Sequence, residues 1–104
     1  PPRLAVLIDA SRGRIYIDNT IKLNSMHKIY FLINQWRTKT YTGQTNNFEQ
    51  RMQEHKNGKV KSTKNFDTFE AHILEEVDTL KAAIKREKYW KSCAGRKKIK
   101  KMFW

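Results

Sequence analysis

The chain has 104 residues, 38% of them hydrophobic, which suits one small domain around a single core and gives no reason to divide it into two. Its 22 Lys and Arg against 10 Asp and Glu give a formal net charge of +12, so the favoured partner is a polyanion, with nucleic acid first. The longest apolar runs, "LAVLI" and "IYFLI", fall short of the roughly 18 residues of a spanning helix and of the ~7–15 of a signal-peptide core, which argues against a membrane partner. The single cysteine, Cys93, leaves no internal disulfide and no Cys-rich zinc site, and points to a reducing intracellular setting.

Residues 1–25 hold two short β-like runs, "LAVLID" and "RIYID", around the turn-prone "ASRG", and are read as an N-terminal extension able to form a hairpin. The working domain is expected over 26–104. It opens with "KIYFLIN" (28–34), apolar on both alternating faces as in a strand covered on both sides. A polar connection leads to "TYTGQT" (40–45), and the short spacing favours an antiparallel hairpin. Asn46, with Glu49 three residues on, is expected to cap a helix that runs to about Lys56 and stops at Gly58. A basic loop, "KVKSTKNF", precedes a third strand candidate over Phe69–Val77 whose alternation is imperfect. Asp78 or Thr79 then caps a helix over Leu80–Lys91, and "SCAG" separates it from a last helix, Arg96–Phe103. The order predicts an α+β fold: a small antiparallel sheet of about three strands, flanked by helices.

Two helices turn polar residues toward their apolar sides. At 100° per residue, the arc holding Phe48 and Met52 also holds Arg51 and His55. In the second helix Leu80, Ala83 and Ile84 define the arc, and Glu87 falls inside it beside Trp90. Buried charges need partners, and the plain explanation is a structural ion pair between Arg51 and Glu87, or side chains that snorkel from the helix edge. Tyr30 and Tyr41, on adjacent strands, share a face or not depending on the register. If they do, two tyrosines, an arginine, a histidine and a carboxylate form the set that phosphodiester cleavage uses: a base for water, a cation for the pentavalent charge and a metal ligand.

The spacing of "KIY" at 28–30, ten residues, then "YTG" at 41–43 resembles the paired signature of the GIY-YIG endonuclease family. "GQTNNFEQRMQEH" is similar to the family's following helix, "GKVKSTK" to its basic loop, and "AAIKREKYWKSCAGRKK" to the helix bearing its metal-binding glutamate. The likeness covers roughly 28–103 in order. It implies that Tyr30 and Tyr41 are active-site tyrosines, with Tyr30 slightly favoured as base. It further implies that Arg51 stabilises the phosphate, that His55 assists proton transfer, and that Glu87 ligates Mg²⁺ or Mn²⁺. Lys28 stands where the signature has its first Gly, Thr42 replaces its central Ile, and "KKIKKMFW" offers no Asn of the kind many members carry beyond the glutamate.

Phosphate contacts are expected from Lys59, Lys61 and Lys64 in the loop, Lys85 and Arg86 beside Glu87, and Arg96, Lys97 and Lys98 in the tail. The expected activity is metal-dependent hydrolysis of DNA. The alternative is a non-catalytic basic DNA- or RNA-binding module on the same fold. No separate recognition module is visible, so low sequence specificity is expected, and a protein partner or homodimer is left open.

Overall fold

A computed structural model describes residues 3–9 and 14–17 as backbone strands and residues 26–104 in full. The chain runs β1 (Arg3–Asp9), β2 (Arg14–Ile17), β3 (His27–Asn34), β4 (Thr40–Thr45), α1 (Phe48–Lys56), β5 (Thr68–Val77), α2 (Leu80–Lys91) and α3 (Cys93–Phe103). The strands form one sheet in the order β2-β1-β5-β3-β4, and every pairing is antiparallel. The fold is α+β: β5, β3 and β4 lie among the helices, and the β1–β2 pair extends the sheet beyond β5. The turn-prone "ASRG" segment lies outside the described residues.

Alternation along β3 sorts the core into two layers. Tyr30 and Leu32 project to one side and pack with Phe48 and Met52 of α1, with Phe66, and with Phe69, Ala71 and Ile73 of β5. Ile29, Phe31 and Ile33 project to the other side, against Ala83 and Trp90 of α2 and Ile99 of α3. Because both faces are covered, β3 is buried from Lys28 to Asn34. The imperfect alternation of β5 has a local cause. The β3–β5 register passes from Tyr30↔Ile73 to Ile29↔Glu75, leaving Leu74 as an extra, bulged residue. The bulge turns Leu74 and Glu75 toward the α2 side together, a step that a strict period of two cannot show.

Three local expectations are corrected. The cap of α1 is Asn47, not Asn46: Asn47 Oδ1 accepts from Gln50 N, and Asn47 Nδ2 donates to Gln50 Oε1, so the cap falls one residue later and pairs with Gln50 in place of Glu49. Helix α3 begins at Cys93, because Ser92 ends α2 and at the same time caps α3 by accepting from Gly95 N. The buried stripe of α2 is Ala83 and Trp90, whereas Leu80 and Ile84 are 52% and 44% exposed. Thr79 caps α2 as expected. Among the described residues no helix is long and apolar enough to cross a membrane.

Candidate active site

The hairpin register brings the two tyrosines together. Tyr30 sits opposite Gly43 and Leu32 opposite Tyr41, so Tyr30 and Tyr41 project from the same face on neighbouring strands, with ring centroids 6.1 Å apart. Gly43 makes room for them. A Cβ on Gly43 would stand 2.7 Å from Tyr30 Oη and 2.9 Å from Tyr41 Cε1, so no larger residue leaves the Tyr30 ring where it is.

Helix α1 lies over this face, and its residues 51 and 55, one turn apart, point down onto the tyrosines. Arg51 Nε donates to Tyr30 Oη (3.2 Å), Nη2 to Tyr41 Oη (3.4 Å) and Nη1 to Glu54 Oε1 (2.8 Å). Tyr30 Oη is also 2.8 Å from His55 Nε2, and His55 Nδ1 is 2.8 Å from Thr63 Oγ1 in the basic loop. The direction of these bonds is assigned from their far end. Thr63 Oγ1 reaches Val60 O (3.4 Å), and a carbonyl can only accept, so the threonine's proton goes there. Thr63 therefore accepts from His55 Nδ1–H. That leaves the lone pair on Nε2, to which Tyr30 donates.

The electrostatics agree with this direction. Burial, reinforced by the positive charge of Arg51, lowers His55 to about 4, so its ring is neutral at ordinary pH. Burial pushes the Tyr30 hydroxyl well above the usual tyrosine range, with the Arg51 hydrogen bond pulling the other way. Arg51 is held firmly protonated, chiefly by Glu54. Access differs across the set. Tyr30 and His55 are 0% and 1% exposed, whereas Tyr41 is half-buried and the Arg51 side chain is 32% exposed. A guanidinium has five N–H groups; with three committed, Arg51 keeps two for an incoming oxygen.

Glu87 stands apart from this network. Its helix packs on the opposite layer, its Oε2 pairs with Lys91 Nζ at 3.0 Å, and its side chain is 22% exposed. The expected Arg51–Glu87 pair does not form, because α1 and α2 cover different faces of the sheet; Arg51 pairs with Glu54 and Glu87 with Lys91. A groove of about 670 Å³ wraps the free edge of β4 and joins the two sides: Tyr41 and Ser62 line one wall, Lys91, Arg96 and Lys100 the other. Through Lys91, Glu87 borders the groove onto which Tyr41 opens.

The basic residues fall into two groups. Lys59, Lys61, Lys64, Lys85, Arg96 and Lys97 are exposed. Arg86 is taken up in a clamp, its Nε donating to Glu75 Oε1 (2.8 Å), which also accepts from Trp90 Nε1 (3.0 Å), while its guanidinium lies over the Tyr89 ring. Lys98 lies over the Trp90 ring at 5.3 Å. The two departures from the signature also have places. Lys28 is buried opposite Glu76 in the β3–β5 register; burial lowers its pKa and the Glu76 carboxylate opposes that. Thr42 lines the β4 groove. Thr63 escapes a reading of the sequence altogether. It is a lone threonine in a lysine-rich loop, and only the fold of that loop brings it to His55.

The donor set bears on a metal. Among the described residues no group of three or more His, Cys, Asp and Glu side chains could enclose an ion, so a cage made wholly of protein ligands does not fit. A single carboxylate at the border of an open groove fits a hard, largely hydrated divalent cation, which completes its octahedron with water and phosphate oxygens.

The comparisons agree with this geometry. The model of the GIY-YIG catalytic domain matches residues 26–100, and the chain belongs to that family. It is thereby a domain of nuclease type whose substrate is nucleic acid. Among curated proteins it is similar to a UPF0213 protein of Syntrophus aciditrophicus (strain SB), 40% identical over 77 residues that cover 71% of this chain and 88% of the relative. No solved structure matches significantly.

Proposed function

We propose that this protein is a metal-dependent DNA endonuclease that hydrolyses phosphodiester bonds at the edge of β4. The observation that carries the reading is the continuous network Tyr41–Arg51–Tyr30–His55–Thr63, in which one neutral imidazole, one fixed guanidinium and two phenols are joined by hydrogen bonds and reach a cationic groove through Tyr41.

The parts divide by access. Tyr41 lines the groove and the partly exposed Arg51 is bonded to it, and the two uncommitted N–H groups of Arg51 suit the oxygens of a pentavalent phosphorus, whose charge exceeds that of the ground state. Tyr30 is covered, so Tyr41 is the hydroxyl that meets water or phosphate directly, and Tyr30 works one step behind it. The Tyr30 proton is directed at His55 Nε2, and because burial opposes both a phenolate and an imidazolium there, the pair serves to fix the Tyr30 oxygen beneath Arg51 and Tyr41. Glu87 would hold Mg²⁺ or Mn²⁺ after releasing Lys91. When bound, such an ion supplies Lewis-acid polarisation of a phosphate oxygen and lowers the pKa of water. The exposed lysines of the loop after α1, with Arg96 and Lys97, supply contacts that hold the backbone without reading sequence.

The deciding experiment is a cleavage assay with Mg²⁺ or Mn²⁺ on supercoiled, branched and single-stranded DNA, run beside Glu87→Ala and a binding measurement. Wild-type protein is expected to nick or cut, and Glu87→Ala to bind DNA within a few-fold of wild type while losing cleavage. Cleavage that survives in Glu87→Ala removes the metal assignment. Tight, salt-sensitive binding without any cleavage would instead support a purely binding module.

A further inference from the structure

The groove along β4 extends well beyond the catalytic wall. From Tyr41 it runs past Thr40 and Thr42 to α3 and ends at Trp104, whose indole is 54% exposed. Its lining includes Lys91, Arg96 and Lys100 and no Asp or Glu. Lys91 is engaged with Glu87, whereas Arg96 and Lys100 form no ion pair with a described residue, and they lie four residues apart on one face of α3. The groove therefore combines unneutralised cations with an uncovered aromatic face. The end of the β3–β4 hairpin closes this side of the molecule, because Arg37 Nη1 donates to Phe103 O at 2.8 Å and ties the hairpin to the last turn of α3.

Cations alone suit any nucleic acid, but an aromatic ring adds a condition. Stacking on an indole needs a base whose π-face is open, and inside a duplex both faces of each base are covered by neighbours. We infer that the β4-edge groove binds an unpaired strand of DNA, with a base stacked on Trp104, its phosphates on Arg96 and Lys100, and the strand continuing toward Tyr41. This names the substrate class of the site proposed above and rests on that reading for where the strand leads, though not for its binding.

The test measures binding in EDTA, where cleavage plays no part. A labelled single-stranded oligonucleotide and a duplex of the same length are titrated with wild-type protein and with single variants. Trp104→Ala is expected to weaken single-strand binding roughly 5- to 150-fold, the range one base–aromatic stack supplies, while duplex binding stays within about twofold. Trp104→Phe should restore most of the loss. Arg96→Ala and Lys100→Ala should each reduce the salt slope for the single strand by about 0.7. Trp36→Ala, which removes an indole that is 72% exposed but outside the groove, should change neither substrate. Equal losses on both substrates with Trp104→Ala, no loss on either, or a loss with Trp36→Ala as large as with Trp104→Ala would overturn the assignment. If cleavage is absent yet Trp104 behaves as stated, the nuclease reading fails and the groove stands; if cleavage is present and Trp104 is silent, the reverse holds.

Discussion

Tyr30 Oη lies 2.8 Å from His55 Nε2, and both side chains are sealed from solvent. The sealed pair makes a prediction about stability that does not involve DNA. Burial lowers His55 to about 4 in the folded protein, whereas an exposed histidine titrates near 6.5. Between those values the unfolded chain takes up the proton and the folded one does not, so acid favours unfolding. The contribution of His55 is fully present above about pH 6.5, declines as pH falls, and is lost by about pH 4, a change on the order of 3 kcal/mol. Urea unfolding at pH 7, 5 and 4 checks this. The His55→Gln variant should lack that part of the pH dependence, and wild-type and variant curves that run parallel would count against a buried neutral ring.

Arg51 reaches Tyr30, Tyr41 and Glu54 at once because a guanidinium is a planar fork. A lysine keeps the charge but can hold neither that geometry nor the two remaining N–H groups. Arg51→Lys should therefore lower the cleavage rate by roughly 10²–10³-fold, the usual effect of losing one transition-state donor. DNA affinity should change only a few-fold, since the net charge of the surface is kept. Single-turnover rates together with equilibrium binding separate the two effects.

Gly43 tests the geometry from below. The Cβ of Gly43→Ala would meet Tyr30 Oη at 2.7 Å and Tyr30 Cζ at 2.8 Å, and the ring can relieve this only by moving its hydroxyl away from His55 and Arg51. A displacement of about 1 Å can cost about 100-fold in rate. The variant should stay folded, with far-UV circular dichroism unchanged and cleavage down by about two orders of magnitude. Wild-type activity in Gly43→Ala would show that the position of the Tyr30 hydroxyl is unimportant.

Much of this site is legible in the sequence, for reasons that also mark where the legibility ends. Arg51 and His55 stand out because four residues along a helix return to the same face, and Phe48 and Met52 define that face. Glu87 falls on the sheet-facing side of α2 between Ala83 and Trp90, as periodicity placed it, yet periodicity also counted the exposed Leu80 and Ile84 in that apolar arc. A helical projection locates an apolar arc, but what covers it is a tertiary matter. The Arg51–Glu87 pair failed for the same reason: nothing local says that α1 and α2 lie on opposite sides of the sheet. The shared face of Tyr30 and Tyr41 awaited the register, where a slip of one residue would have sent them apart. The bulge at Leu74 is a further case, visible in sequence only as broken alternation.

Thr63 was beyond such reasoning, and it offers a test of how the site is held. It is 2% exposed, and its oxygen lies 2.8 Å from His55 Nδ1, as the acceptor in the tautomer assigned above. Replacing it with valine keeps the shape and removes that acceptor, so the imidazole N–H is left buried without a partner. The stability cost should be about 1–3 kcal/mol. To escape this cost, His55 can shift its proton to Nε2, but Tyr30 would then face an N–H instead of a lone pair and could no longer donate to it. Thr63→Val should therefore lose cleavage at temperatures where it remains fully folded, and Thr63→Ser, which restores the hydroxyl, should recover most of it. Nitrogen NMR of the histidine rings supplies the readout that a merely structural role would leave unmoved. The His55 signals should report the Nδ1–H tautomer in wild type and in Thr63→Ser, and a mixture or the Nε2–H form in Thr63→Val. If the tautomer and the rate are the same in all three proteins, the threonine serves packing alone.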